Sequence, residues 1–270
     1  MDACRIRCRH LVGCLLLVAM LAGSACGPDA FAAPPSPEAG EAPVLAYTSW
    51  RLVEMQTGPN SASQPGAGEM FSLVFGEGDA VTVTTDCATA VGTIAIRANH
   101  DVVPNLTVTG ASTCERRSLP ERFLNNVNLA GSWVFDDDGM LVLNLAADGG
   151  FIRLEQTLTG TTWRWTGFQG GDGETAQPEA DAPTTMVFGT DGVVTLTAPC
   201  GTMMAPYALD GARGLLIDTS ALPASSDPCM NGTRLTLGAM RSYVFRDGKL
   251  FISLMADGGI HTFEATAPAT

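Results

Sequence analysis

The sequence predicts a mainly β, α+β fold made of two tandem compact antiparallel β domains, each with about one packed helix. Three observations predict it. Apolar residues alternate in short runs closed by glycine-rich turns, as in Leu141-Val142-Leu143-Asn144-Leu145 before Asp148-Gly149-Gly150. A set of landmarks recurs along the chain at nearly constant spacing. One stretch in each half departs from the two-residue period of strands and takes the spacing of a helix face.

The amino-terminus comes before either domain. Arg5, Arg7, Arg9 and His10 precede an apolar run from Leu11 to Ala22, broken by Gly13, and small residues follow to Ala25. This is the layout of a signal peptide over residues 1–25. The run is shorter than the roughly 20 residues that span a bilayer. Two processing routes stay open. Gly23-Ser24-Ala25-Cys26 looks like a lipoprotein cleavage site, which makes Cys26 the candidate lipidation residue, and Ala30-Phe31-Ala32 suits ordinary signal peptidase. Residues 26–44, rich in Pro, Ala, Gly and Glu, bury too little apolar surface to fold and read as a disordered tether.

The recurrence begins at Thr48-Ser49-Trp50-Arg51-Leu52, which returns 113 residues later as Thr161-Thr162-Trp163-Arg164-Trp165. Ser72-Leu73-Val74-Phe75-Gly76 matches Thr185-Met186-Val187-Phe188-Gly189, and Val81-Thr82-Val83-Thr84 matches Val194-Thr195-Leu196-Thr197. Trp133-Val134-Phe135 and Ala147-Asp148-Gly149-Gly150 match Tyr243-Val244-Phe245 and Ala256-Asp257-Gly258-Gly259, the offset drifting to 109. The expected domains are residues 45–157 and 158–265, with a tail at 266–270. In the first, Ser118 to Leu129 predicts a helix: Ser118 caps it, Pro120 suits its first turn, and Phe123, Leu124 and Val127 share a face. In the second, the corresponding helix is expected over Thr233 to Arg241, weakened by Gly238.

Of the eight cysteines, Cys4, Cys8 and Cys14 lie in the removable segment and Cys26 at its edge. The remaining four suit two disulfides in an oxidising compartment. Cys87 and Cys200 occupy equivalent places, as do Cys114 and Cys229, so pairing Cys87 with Cys114 and Cys200 with Cys229 gives each repeat the same topology.

These residues resemble the META (HslJ-like) domain of bacterial envelope and heat-inducible proteins. The likeness rests on Trp50-Arg51-Leu52 and Trp163-Arg164-Trp165, the strands around Phe75 and Phe188, the paired cysteines, and Glu121, Phe123 and Leu124 ahead of Trp133. The resemblance implies a compact antiparallel β fold with one helix on the sheet, in exported proteins linked to envelope stress, and no established enzymatic activity. The first cysteine departs from the family pattern: Ala88 and Gly201 stand where Asn is usual.

Charge and chemistry narrow the function. Loss of residues 1–25 removes Asp2 and three arginines and takes the formal charge from −13 to −15. So acidic a protein is not expected to bind nucleic acid or anionic lipid, which leaves the Cys26 anchor as the expected membrane attachment. The histidines outside the removable segment are His100 and His261; neither has a nucleophile motif beside it, and their equivalents are Arg213 and Ile152. Asp136-Asp137-Asp138-Gly139 offers carboxylates for a hard cation but reads first as a hairpin turn. The cysteine spacing lacks the C-x-x-C pair of a zinc site. Trp50 and Trp163, at the first strand of each copy, read as core.

No catalytic, cofactor-binding or metal residue is therefore expected, and no cofactor. The expectation is a non-catalytic exported cell-envelope protein whose partner is an envelope protein or a small ligand. The alternative is a secreted inhibitor or small-molecule binding module, with the acidic, glycine-rich stretch from Gly170 to Pro183 as an exposed loop.

Overall fold

A computed structural model describes residues 45–268, apart from 59–60, 98, 179–180, 212 and 224–225. The signal peptide, the tether and Cys26 lie outside the described residues. No helix among the described residues is long and apolar enough to cross a membrane.

The chain forms two antiparallel, barrel-like sheets with one α-helix associated with each. The first contains β1 (Ser49–Gln56), a two-residue β2 (Ala62–Ser63), β3 (Phe71–Phe75), β4 (Ala80–Thr85), β5 (Thr89–Ile96), β6 (Val102–Thr109), α1 (Leu119–Val127), β7 (Ala130–Phe135), β8 (Leu141–Leu145) and β9 (Phe151–Gln156). Its order is β6-β5-β4-β3-β1-β9-β8-β7, so each long strand lies beside its sequence neighbours, and β9 returns to β1. The seam between β6 and β7, where α1 interrupts the meander, is held by the Asp101–Ser132 bridge and by Trp133 N–H donating to the His100 carbonyl at 2.9 Å.

The second sheet repeats this plan with β10 (Thr162–Gln169), a two-residue β11 (Thr175–Ala176), β12 (Thr185–Phe188), β13 (Val193–Ala198), β14 (Gly201–Asp210), β15 (Gly214–Ile217), α2 (Pro228–Ala239), β16 (Met240–Arg246), β17 (Lys249–Leu254) and β18 (Ile260–Thr266). Pairing of β10 with β18 closes it. Its seam is held in the same way, by Gly214 opposite Ser242 and by Tyr243 N–H donating to the Arg213 carbonyl at 2.9 Å.

Alternation along the strands builds each interior. Phe71, Leu73 and Phe75 point inward from β3, and Leu141, Leu143 and Leu145 from β8. Trp50 and Trp163 are fully buried. Trp50 Nε1 donates to Thr48 Oγ1 at 2.7 Å and Trp163 Nε1 to the Leu158 carbonyl at 3.0 Å, so both indoles anchor the segment that enters their first strand. Phe135 and Phe245 lie against them, with ring centroids 5.8 and 5.6 Å away.

The two barrels also share their irregularities. Bulges fall between Leu52 and Glu54 and between Trp165 and Gly167, and again between Ala130 and Ser132 and between Met240 and Ser242. Gly150 and Gly259 have φ of +104° and +121°, and a Cβ there would lie 1.8 Å from the Gln56 carbonyl oxygen or 2.4 Å from that of Gln169. Only glycine fits where this turn presses on the first strand. Disulfides join Cys87 to Cys114 and Cys200 to Cys229. Such bridges point to a location outside the cytoplasm.

The helices differ. Ser118 caps α1, its hydroxyl accepting from Glu121 N–H, while the Glu121 carboxylate accepts from Arg117 N–H. Phe123, Leu124 and Val127 bury one face in the first core. The second helix starts five residues before the Thr233 expected from sequence. Asp227 caps it, accepting from Cys229 N–H at 2.8 Å and from Met230 N–H at 3.4 Å, and Pro228 takes the first helical position. It fully buries Leu237 alone.

Candidate functional site

That loss of buried surface marks the site. Eight strands give a barrel whose interior side chains just fill, or which holds one small ligand. Counting back from Ala130 and Met240, which begin β7 and β16, Phe123 of α1 corresponds to Thr233 of α2. Along the strands, Phe71 corresponds to Thr184. In the first barrel the two phenylalanines meet edge to face, 5.6 Å between centroids and 84° between planes, and both are buried. In the second barrel both positions are threonine, and a cavity of about 160 Å³ stands there.

Thr184, Thr233 and Thr236 line the cavity together with Trp165 and His261, and Leu196, Met240 and Phe263 add to its apolar wall. No lining residue carries a formal charge at neutral pH. Trp165 sits at the bulge of β10 and Met240 at that of β16, the positions where a bulge re-aims a side chain. The Trp165 indole nitrogen is buried without a hydrogen-bond partner. His261, on β18 opposite Phe168, lies in an aromatic nest: its ring is 4.6 Å from Phe168, 6.0 Å from Trp165 and 6.3 Å from Phe263. Burial among these rings disfavours the imidazolium and lowers the His261 pKa to about 4, so the ring is neutral at pH 7.

A second concavity lies around the β7–β8 turn. Cavities of about 140 and 190 Å³ there are bordered by Asp138, Gly139, Arg213, Val244 and Phe245. The Asp136-Asp137-Asp138-Gly139 segment is a closed hairpin turn. Asp136 Oδ1 accepts from the backbone N–H of Asp138 and of Met140, both at 3.0 Å. Arg153 holds the rest of the charge, with Nε 2.8 Å from Asp136 Oδ2 and Nη2 2.9 Å from Asp138 Oδ2. Burial is the main cause that raises the pKa of Tyr243, on the border of one of these cavities; the Glu155 carboxylate adds to it. No group of three or more His, Cys, Asp or Glu among the described residues is arranged to hold a metal ion.

His100 is exposed at a turn with φ +69°, and its Nδ1 lies 3.2 Å from the Trp133 carbonyl oxygen. The structure thus keeps His100 and His261 in separate barrels. Of the Gly170–Pro183 stretch, Thr175–Ala176 forms the short β11 on β10, as Ala62–Ser63 does on β1. The cavity-lining threonines and Trp165 were not singled out in the sequence. Their signal is the mismatch between the repeats, with Phe71, Phe123, Leu52 and Ile152 in one and Thr184, Thr233, Trp165 and His261 in the other.

No family model matches the chain, and none of the curated proteins does. Among solved structures, a protein from Burkholderia xenovorans determined by NMR is similar over 41% of this chain and 85% of its own, with 24% identity and a TM-score of 0.33. A DUF4847 family protein from Bacteroides vulgatus matches 42% of this chain and 96% of its own, at 18% identity and a TM-score of 0.32. Immune modulator A of Aeromonas veronii aligns over 82% of this chain and 94% of its own, at 11% identity and a TM-score of 0.21. Scores this low identify neither a family nor a ligand.

Proposed function

We propose that the protein is an exported, non-catalytic binding module of the cell envelope, and that its second barrel carries a small ligand while the first is a filled scaffold. One observation carries this reading: two core phenylalanines of the first barrel are threonines in the second, and an uncharged cavity occupies their place. The signal-peptide layout and the disulfides support export, and Cys26 is the proposed anchor. The Trp-Arg strands support membership of the META kind on motif alone. Non-catalysis rests on chemistry. The one imidazole beside the cavity is held neutral by apolar burial and has no carboxylate or nucleophile among its ring contacts.

The test is calorimetric titration of the full chain with single-ring probes, toluene and benzaldehyde, beside the doubly filled variant Thr184→Phe/Thr233→Phe. Saturable one-to-one binding that the filled variant loses, while its melting temperature stays equal or rises, is the expected result. Absence of binding by either probe, or equal binding by the filled variant, contradicts the reading.

A further inference from the structure

The second-barrel cavity also specifies the chemistry of what fills it, an inference that rests on the binding role proposed above. Size comes first. About 160 Å³ is close to the ~150 Å³ of an apolar protein cavity that stays dry and binds benzene. One ring with a short substituent fits, and a lipid chain or a bicyclic cofactor does not.

Charge comes next. The lining holds threonine hydroxyls, a neutral imidazole and apolar groups, with no lysine, arginine, aspartate or glutamate. A charged ligand would leave water without a counter-ion, a cost of several kcal/mol.

The third constraint is the Trp165 indole N–H. A buried donor without an acceptor is costly, and folded proteins rarely keep one. An orphan indole does not by itself mark a site: Trp133 Nε1, in the filled first barrel, also lacks a partner. Trp165 differs because it borders open space, where an incoming group can supply the acceptor. An indole N–H can only donate, so the ligand's polar atom must accept. The equivalent residue in the first barrel is the buried Leu52, so the donor is present only where the cavity is.

We infer that the cavity between α2 and the second barrel takes a neutral, single-ring-sized apolar molecule bearing one hydrogen-bond acceptor, a carbonyl or ether oxygen, which accepts from Trp165 Nε1. The ring stacks among Trp165, His261 and Phe263, and the threonine hydroxyls of α2 border the entrance side of the helix. The first barrel, with Phe71 and Phe123 in place, binds no such molecule.

The experiment compares four probes on the full, disulfide-intact chain at pH 7: benzaldehyde, toluene, benzoate and benzylammonium. Benzaldehyde is expected to bind at least fivefold tighter than toluene, and both charged probes at least tenfold weaker than benzaldehyde. Trp165→Phe should erase the gap between benzaldehyde and toluene and leave toluene affinity within about twofold. Equal affinity for benzaldehyde and toluene on the unmodified chain overturns the acceptor assignment and leaves the binding role standing, and so does tighter binding of benzoate or benzylammonium. Failure of all four probes to bind overturns the binding role itself, together with this inference. The comparison on the unmodified chain decides the matter even if Trp165→Phe does not fold.

Discussion

At the scale of single residues, His261 reports the environment of the cavity. Its ring is neutral because burial among Phe168, Trp165 and Phe263 lowers its pKa from 6.5 to about 4. Between those values the unfolded chain binds a proton that the folded chain does not. Folding stability contributed by this residue is therefore complete above pH 6.5 and is lost as the pH falls toward 4. The size of that loss is bounded at about 3 kcal/mol by the shift. Ile152 holds the equivalent place in the first barrel, so His261→Ile is a substitution the fold already accommodates. Denaturant melts at pH 7 and pH 4.5 should show the variant losing less stability on acidification than the parent. An identical loss in both would show that His261 is not buried as described.

At the scale of elements, the disulfides and helices carry different loads. Each disulfide closes a loop, with sequence separations of 27 and 29 residues. In the chain-entropy model each is worth roughly 3.5 kcal/mol. α1 buries three apolar side chains and α2 fully buries only Leu237, so the second barrel has less core to fall back on. Cys200→Ser/Cys229→Ser should consequently lower the melting temperature of the full chain more than Cys87→Ser/Cys114→Ser. Scanning calorimetry of both variants checks this, and the reverse order would contradict the view of α2 as the loosely held element. Much of this element structure was legible in the sequence. The strand alternation and Ser118 at the start of α1 could be read directly from residue types. The start of α2 was missed although Asp227-Pro228 is a capping signal, because the glycines within the helix and its thin apolar face hide its period. The cavity was less legible, since threonine in a strand or helix looks unremarkable until it is set against the phenylalanine at the same place in the other repeat.

At the scale of the whole molecule, one plan is built twice with opposite outcomes in the interior. Shared bulges, seam hydrogen bonds and positive-φ glycines keep the two backbones alike. The interiors differ by a few side chains, which fill one barrel and open the other. That reasoning also explains why His261, whose repeat partner is Ile152, belongs with the functional candidates: departures from the repeat mark where the two barrels have divided their roles. The chain has four tryptophans, Trp50, Trp133, Trp163 and Trp165, and each gives one indole N–H resonance. Two of those nitrogens already have acceptors, and Trp133 lacks one but sits in the filled barrel. The most direct test is therefore a 1H–15N spectrum of the full chain titrated with benzaldehyde. The account predicts a saturable downfield shift of the Trp165 indole proton alone. A shift at Trp133 in its place, or four unmoved resonances at a concentration where calorimetry shows binding, would contradict it.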